Sequence, residues 1–254
     1  MTVRAILTYH SVDPSGSPIS ISEDAFRCHV AWLSAAPVRV VPLAQLAAEA
    51  APDDTVALTF DDGFASFADV AWPLLRANGL PATVFVVTGH VGRMNDWGAC
   101  ATAGRRTSDV PALPLMDWDT LGRLAGEGVE IGAHTRTHSD LRRATDAELV
   151  DELDGGAMDI AARTGARPSA FAYPYGGVNA RVAAATASRY PVAVTTRMRS
   201  LRDRENPALL PRLDAFYLRD AGRLESWGTM PFHRRLRLRA GLRRMRSILT
   251  GRPS

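Results

Sequence analysis

Lysine is missing from this chain of 254 residues, and all 30 of its basic side chains are arginine. Alanine is abundant as well, so codon bias in a GC-rich genome explains the choice better than a need for guanidinium at every site. Cysteine is nearly missing too. Cys28 and Cys100 stand far apart and match no metal-binding spacing, which argues against a cysteine-held metal and for free thiols in a reducing compartment. No apolar run reaches the roughly 20 residues that cross a bilayer. The opening MTVRAILTYHSV has one basic residue, no long apolar core and no small-residue cleavage site, so no secretory leader is expected and a cytoplasmic location is. No strand-like segment is followed by GxGxxG or by GxxxxGK and a hydroxyl residue, which removes a phosphate-cradling loop. No internal repeat is present.

What remains is ordinary globular composition, 46% hydrophobic and 22% charged, with enough length for a substantial core. Charge is unevenly placed. The net charge is +3, yet residues 231–254 hold eight arginines and no acid, so the body of the chain is net acidic. Compact apolar runs at VRAILTYH (3–10), TVALTF (55–60), ATVFVVTG (82–89), VEIGAH (129–134), SAFAYP and PVAVTT predict buried strands, with LLPRLDAFYL as a further one. Helical patterns lie between them. SEDAFRCHVAWLSAA has a Ser N-cap and early acids. FADVAWPLLRANGL, DWDTLGRLAGEG and VNARVAAATASR follow their strands, and ATDAELVDELDGGAMDIAART opens on a capping box of Thr145 and Glu148. Residues 90–114 read as one long loop. Strand and helix alternate with short links, which predicts a parallel sheet covered by helices, an α/β barrel or a doubly wound fold.

In such folds reactive groups collect at the carboxyl ends of the strands. Here those ends carry His10, the adjacent pair Asp61 and Asp62, His134 and the turn at Tyr175. Two neighbouring carboxylates repel, and if both are buried a positive partner must be near. In HTRTH, His134 and His138 are spaced to share a metal ion, and Asp62 can complete the set with one position open. Asp61 is then placed to act as a base. AYPYGG holds a constrained backbone that can aim an N–H at an oxyanion. His10 suits protonation of a departing nitrogen.

TFDDG, HTRTH about seventy residues on, and AYPYG, in that order, resemble the polysaccharide deacetylases of carbohydrate esterase family four. The resemblance runs from about residue 3 to about 215. It implies a single-domain distorted (β/α) barrel of about seven parallel strands, a divalent metal, usually Zn2+, and hydrolysis of N-acetyl groups from the amino sugars of a polysaccharide or lipid-linked glycan. Carried over by motif, Asp61 is similar to the catalytic base and Asp62, His134 and His138 to the metal ligands. Tyr175, following Pro174, is similar to the main-chain oxyanion donor. Two positions depart from the pattern. Ala172 stands where many members have an arginine that partners the base, and no late LxxH is present. The early Tyr9–His10 resembles an exopolysaccharide-deacetylase-like branch, which makes His10 the acid. Arg212 in LPRLD is a candidate to compensate for Ala172 or to meet substrate.

The expected boundaries are a barrel at 1–220 and a basic amphipathic tail at 221–254. In the tail Leu238, Leu242, Met245 and Leu249 recur at helical spacing among arginines. Such a helix either packs on the barrel or lies on anionic lipid at the inner membrane face. Nucleic acid is not an expected partner, since the body is acidic and the tail nearly lacks aromatics. Two other readings stay open: a non-catalytic glycan-binding domain of this fold, and a metal-dependent hydrolase of a small non-carbohydrate amide.

Overall fold

The computed structural model describes residues 2–36, 38–48, 53–97, 110–220 and 222–250. The chain begins with β1 (Arg4–Tyr9), the short pair β2 (Ser11–Val12) and β3 (Ser20–Ile21), and α1 (Glu23–Ala35). β4 (Arg39–Val40), α2 (Leu43–Ala48), β5 (Thr55–Phe60) and α3 (Trp72–Ala77) come next. β6 (Thr83–Val86), α4 (Trp118–Gly126) and β7 (Glu130–Ala133) lead to α5 (Asp146–Val150) and α6 (Gly156–Thr164). β8 (Ala170–Ala172), α7 (Ala180–Ala187), β9 (Val192–Met198), β10 (Leu210–Asp214) and α8 (Met230–Thr250) complete the order.

Seven strands close a parallel barrel. From β1 the order runs through β10, β9, β8, β7, β6 and β5, and β5 pairs back with β1 along its full length, Arg4 beside Thr55 to Tyr9 beside Phe60. The distortion lies between β5 and β6. β6 meets β5 only near its C-terminal end, at Thr59 and Phe60, while β4 fills the gap below, at Thr55 and Val56. The barrel is therefore splayed at its base, and α2 plugs it with Leu43 and Leu46.

Alternation along each strand sorts the core into two shells. Ile6, Ala57, Phe85, Ala170, Ala172, Val192, Val194 and Leu210 fill the lumen. Ala5, Leu7, Val56, Leu58, Val84, Ile131, Phe171 and Leu213 face the helices. Full burial on both faces explains why these strands read as continuous apolar runs. The same period sets the upper rim: His10 follows Ile6 and Thr8, and Asp61 follows Ala57 and Thr59, into the lumen. Tyr9 points the other way. It stacks on Phe60 at 4.9 Å, meets Phe26 edge-on and bonds Nδ1 of His29, so of the Tyr9–His10 pair only the histidine faces the rim.

Two helices expected as continuous contain π turns. At Phe67–Ala71 the Trp72 N–H bonds Phe67 O, five residues back; Pro73, next in line, has no N–H to continue an α ladder. The second π turn, Asp151–Gly155, joins α5 to α6. The capping box at Thr145 and Glu148 forms as expected. Cys28 is exposed, and Cys100 lies outside the described residues, as does part of the 90–114 loop. No described helix is long and apolar enough to cross a membrane. α8 packs through Phe232 and Leu236, while Leu238, Leu242 and Met245 are exposed; the Leu249 side chain lies outside the described set.

Candidate active site

Four loops at the C-terminal rim, after β1, β5, β7 and β8, bring together His10, Asp61, Asp62, His134, His138 and Tyr175. Asp62 Oδ1 lies 3.4 Å from His134 Nε2 and 3.3 Å from His138 Nε2, and all three side chains are buried. One ligand atom from each lies within 4.8 Å of the others, the only such cluster among the described residues. His134 Nδ1 is 2.7 Å from the Ala172 carbonyl, so Nδ1–H donates outward and the Nε2 lone pair faces Asp62. Asp62 Oδ1 is buried without a hydrogen-bond partner among the described residues. An orphaned carboxylate oxygen opposite two imidazole nitrogens is a donor set that a dication fits.

Backbone strain is concentrated here. Among the described residues four non-glycines have positive φ: Asp62 (74°), Thr135 (66°), His138 (58°) and Tyr175 (58°). Each such conformation costs about 1–3 kcal/mol and persists only where the surroundings over-determine it. Those surroundings are visible around 134–138. The buried carboxylate of Glu152, in the second π turn, accepts from the Arg136 N–H at 2.7 Å, the Thr137 N–H at 3.0 Å and the Thr137 hydroxyl. Arg136 reaches back to Asp151 and Asp159, and Thr135 Oγ1 accepts from the His138 N–H. The π turn thus aims one helix's acids at the loop that holds both histidines.

Asp61 has a separate partner. Arg212 rises from β10 through the lumen and donates to both carboxylate oxygens, Nη1 to Oδ1 and Nη2 to Oδ2, each at 2.6 Å. Its Nε donates to Thr195 O, and Nη1 also donates to Thr59 Oγ1. Arg212 is 2% exposed, so the structure turns it inward to Asp61 and not outward to substrate. Ala172 keeps the lumen position expected of the missing arginine, and the guanidinium comes from two strands away. Burial pushes the Asp61 carboxyl up, but the charge and hydrogen bonds of Arg212 outweigh it and hold the group below the ordinary aspartate value. Each oxygen retains a lone pair away from Arg212. On that side His10 Nε2 lies 3.9 Å from Oδ2, its ring partly open to solvent.

The turn at Pro174–Gly176 closes the rim. Gly176 has φ 70°, and a Cβ there would lie 2.0 Å from Thr196 Oγ1, so only glycine permits this approach to β9. The half-exposed Tyr175 ring packs edge-on against His138 at 4.5 Å. Trp97 covers the other side of His138 at 4.6 Å. Trp97 and Glu152 carry no motif that sequence reasoning could have used; Trp97 falls in the long loop, and Glu152 looks like one acid of many on a helix.

The class so defined is a closed parallel (β/α) barrel whose C-terminal rim carries one carboxylate and two imidazoles in a donor set that a dication fits, with an ion-paired second carboxylate beside them. The polysaccharide deacetylase family model matches residues 48–193, more than half the chain, and the chain belongs to this family. The chain is 23% identical over 168 residues to the poly-beta-1,6-N-acetyl-D-glucosamine N-deacetylase of Staphylococcus aureus, a match covering 63% of this chain and 55% of that protein. It spans roughly half to two thirds of the length of the curated relatives it matches. Among solved structures, the Streptococcus pyogenes deacetylase PplD in complex with acetate superposes with TM-score 0.69 at 20% identity, over 84% of this chain and 92% of that one. IcaB from Ammonifex degensii gives TM-score 0.69 at 21% identity, over 85% and 95%. At such identities these likenesses establish the fold.

Proposed function

We propose that this protein is a metal-dependent hydrolase that removes N-acetyl groups from amino-sugar residues of a polysaccharide or a lipid-linked glycan. The observation that carries the reading is the convergence of Asp62, His134 and His138 beside an Asp61 held ionised by Arg212. Asp62 and the two Nε2 atoms would hold the ion, and one carboxylate with two imidazoles suits Zn2+. A dication there supplies Lewis-acid polarisation of the acetamide carbonyl and a water more acidic than bulk.

The chain's own groups do the rest. Asp61 takes the proton of the attacking water; Arg212 fixes its orientation and keeps it anionic. The depressed pKa makes Asp61 a weak base, suited to a water whose own pKa a bound dication would lower. His10, across from Asp61, gives a proton to the departing nitrogen, so that an amine and acetate leave. The Tyr175 N–H, set by the strained turn, faces the developing oxyanion. Tyr175 and Trp97 supply aromatic surface on which a sugar ring can lie.

The test is acetate release from N-acetylated oligosaccharides and lipid-linked sugars, with a small aryl acetamide as control. Release from the sugars is expected, abolished by chelator and restored by zinc, with Asp61→Asn and His10→Ala each strongly impaired. Full activity in Asp61→Asn would overturn the assignment of the base. Zinc binding without release from any sugar would favour a glycan-binding domain, and release from the aryl acetamide alone would favour a small amide substrate. For the tail, exposed Leu238, Leu242 and Met245 among arginines support contact with anionic lipid at the inner membrane face. Failure to co-sediment with anionic vesicles would remove it.

A further inference from the structure

Beside the catalytic rim, α8 and the end of β9 form the walls of an open cavity of about 740 Å³. It presents Thr196, Arg197, Arg199, His233, Arg237 and Arg243, and no acidic side chain lines it. On α8 the cavity positions 233, 237, 240 and 243 recur at helical spacing, a face distinct from the exposed apolar one. Two of the four guanidinium groups are neutralised from behind: Arg199 pairs with Glu205 and Arg243 with Asp214 at 3.2 Å. Arg197 and Arg237 have no ion-pair partner among the described residues. His233 Nε2 is buried without a hydrogen-bond partner among them. The cavity therefore carries two uncompensated positive charges.

Its place ties it to the active site. Thr196 lines the cavity and is also the residue against which Gly176 packs, so one strand end forms a wall shared by the anion-attracting cavity and the Tyr175 turn. A ligand with its acetamide at the rim and an anionic group extending past the Tyr175 turn would reach both. Two free guanidinium groups match a phosphate in charge and in hydrogen-bond geometry.

We propose that this cavity binds a phosphate or diphosphate ester attached to the N-acetylated sugar, which makes the enzyme selective for phosphorylated glycan over neutral polymer. The proposal rests on the deacetylase reading of the neighbouring site. The phosphate belongs either to a lipid-diphosphate carrier or to a soluble sugar phosphate, and both present the same chemistry to the arginines.

Two measurements test it. In the first, the full chain is titrated with N-acetylglucosamine 1-phosphate by calorimetry, with and without chelator, for wild type, Arg197→Ala/Arg237→Ala and Arg237→Lys. Binding that survives chelation, falls at least tenfold in the double variant and is largely kept by Arg237→Lys supports the cavity. Equal binding by wild type and the double variant, or binding lost on chelation, overturns it. In the second, the ratio of kcat/KM for a phosphorylated over a neutral N-acetylated substrate is compared. A ratio at least tenfold lower in the double variant is expected, and an unchanged ratio overturns the proposal. Running the sugar diphosphate with and without a short polyprenyl chain assigns the source: equal use of both supports a soluble ester, and preference for the lipid form supports the carrier. The titration needs no turnover, so loss of acetate release in wild type would sink the deacetylase reading while leaving the cavity tested.

Discussion

Replacing Arg212 by methionine is the sharpest probe of the lumen. The side chain keeps similar length and loses its charge, leaving Asp61 buried at 4% exposure with no cation bonded to it. Breaking a buried ion pair from one side costs about 3–5 kcal/mol. Here two 2.6 Å bonds to Asp61 and the bond to Thr195 O are lost together, which places the expected cost in that range. Domains have about 5–15 kcal/mol of total stability, so the variant should still fold but melt much earlier. The sign of the pH dependence discriminates further. In wild type the Asp61 pKa is depressed, so its contribution is present above the unfolded value of about 3.9 and is lost only as pH falls through the folded value. In the variant burial is opposed only by His134 and His10, so the pKa rises above its wild-type position and stability is lost as pH rises through that higher value. The gap between the two proteins should therefore be large near neutral pH and narrow on acidification. Urea unfolding of chelator-treated protein at several pH values measures it. Adding Asp61→Asn to Arg212→Met should recover most of the loss, because no charge is then stranded. A gap below about 1 kcal/mol, or one that does not change with pH, would refute the claim that Arg212 compensates a buried Asp61 charge.

Other outcomes follow from the same geometry. Glu152→Ala should lower zinc affinity of the metal-free protein by about 10–100-fold, as loss of an outer partner does, with Glu152→Gln intermediate; unchanged affinity would show that the loop holds itself. Gly176→Ala must push the Tyr175 turn off Thr196, and kcat should fall by about 10²–10³, the cost of a lost oxyanion donor, while zinc affinity stays as in wild type. Zinc at a hundred times its dissociation constant should stabilise the wild-type fold by about 2.7 kcal/mol, read as a rise in Tm. Asp62→Ala should remove that rise, and a rise that persists would place the ion elsewhere.

Much of this protein is legible in one dimension. Runs such as TVALTF and VEIGAH, apolar on both faces, specify strands of a parallel barrel, and the helical patterns between them specify its cover. The spacing within HTRTH and the adjacency of Asp61 and Asp62 are local, so the residues that converge at the rim could be named before any fold was known. Strand period alone then sends His10 and Asp61 to the lumen side of the rim. Tertiary structure decided what depends on distant pairs. Arg212 reaches Asp61 across 151 positions; the sequence offered it as a candidate to compensate for Ala172, but only the packed barrel selects that contact over one with substrate. Glu152 supports the histidine loop only because a π turn rotates it there, and Trp97 meets His138 only because the long loop folds back. Motifs encode bonds between neighbours in the chain, whereas the charge that pairs with Asp61 and the walls of the arginine cavity exist only once β10 and α8 have packed beside strands far away in sequence.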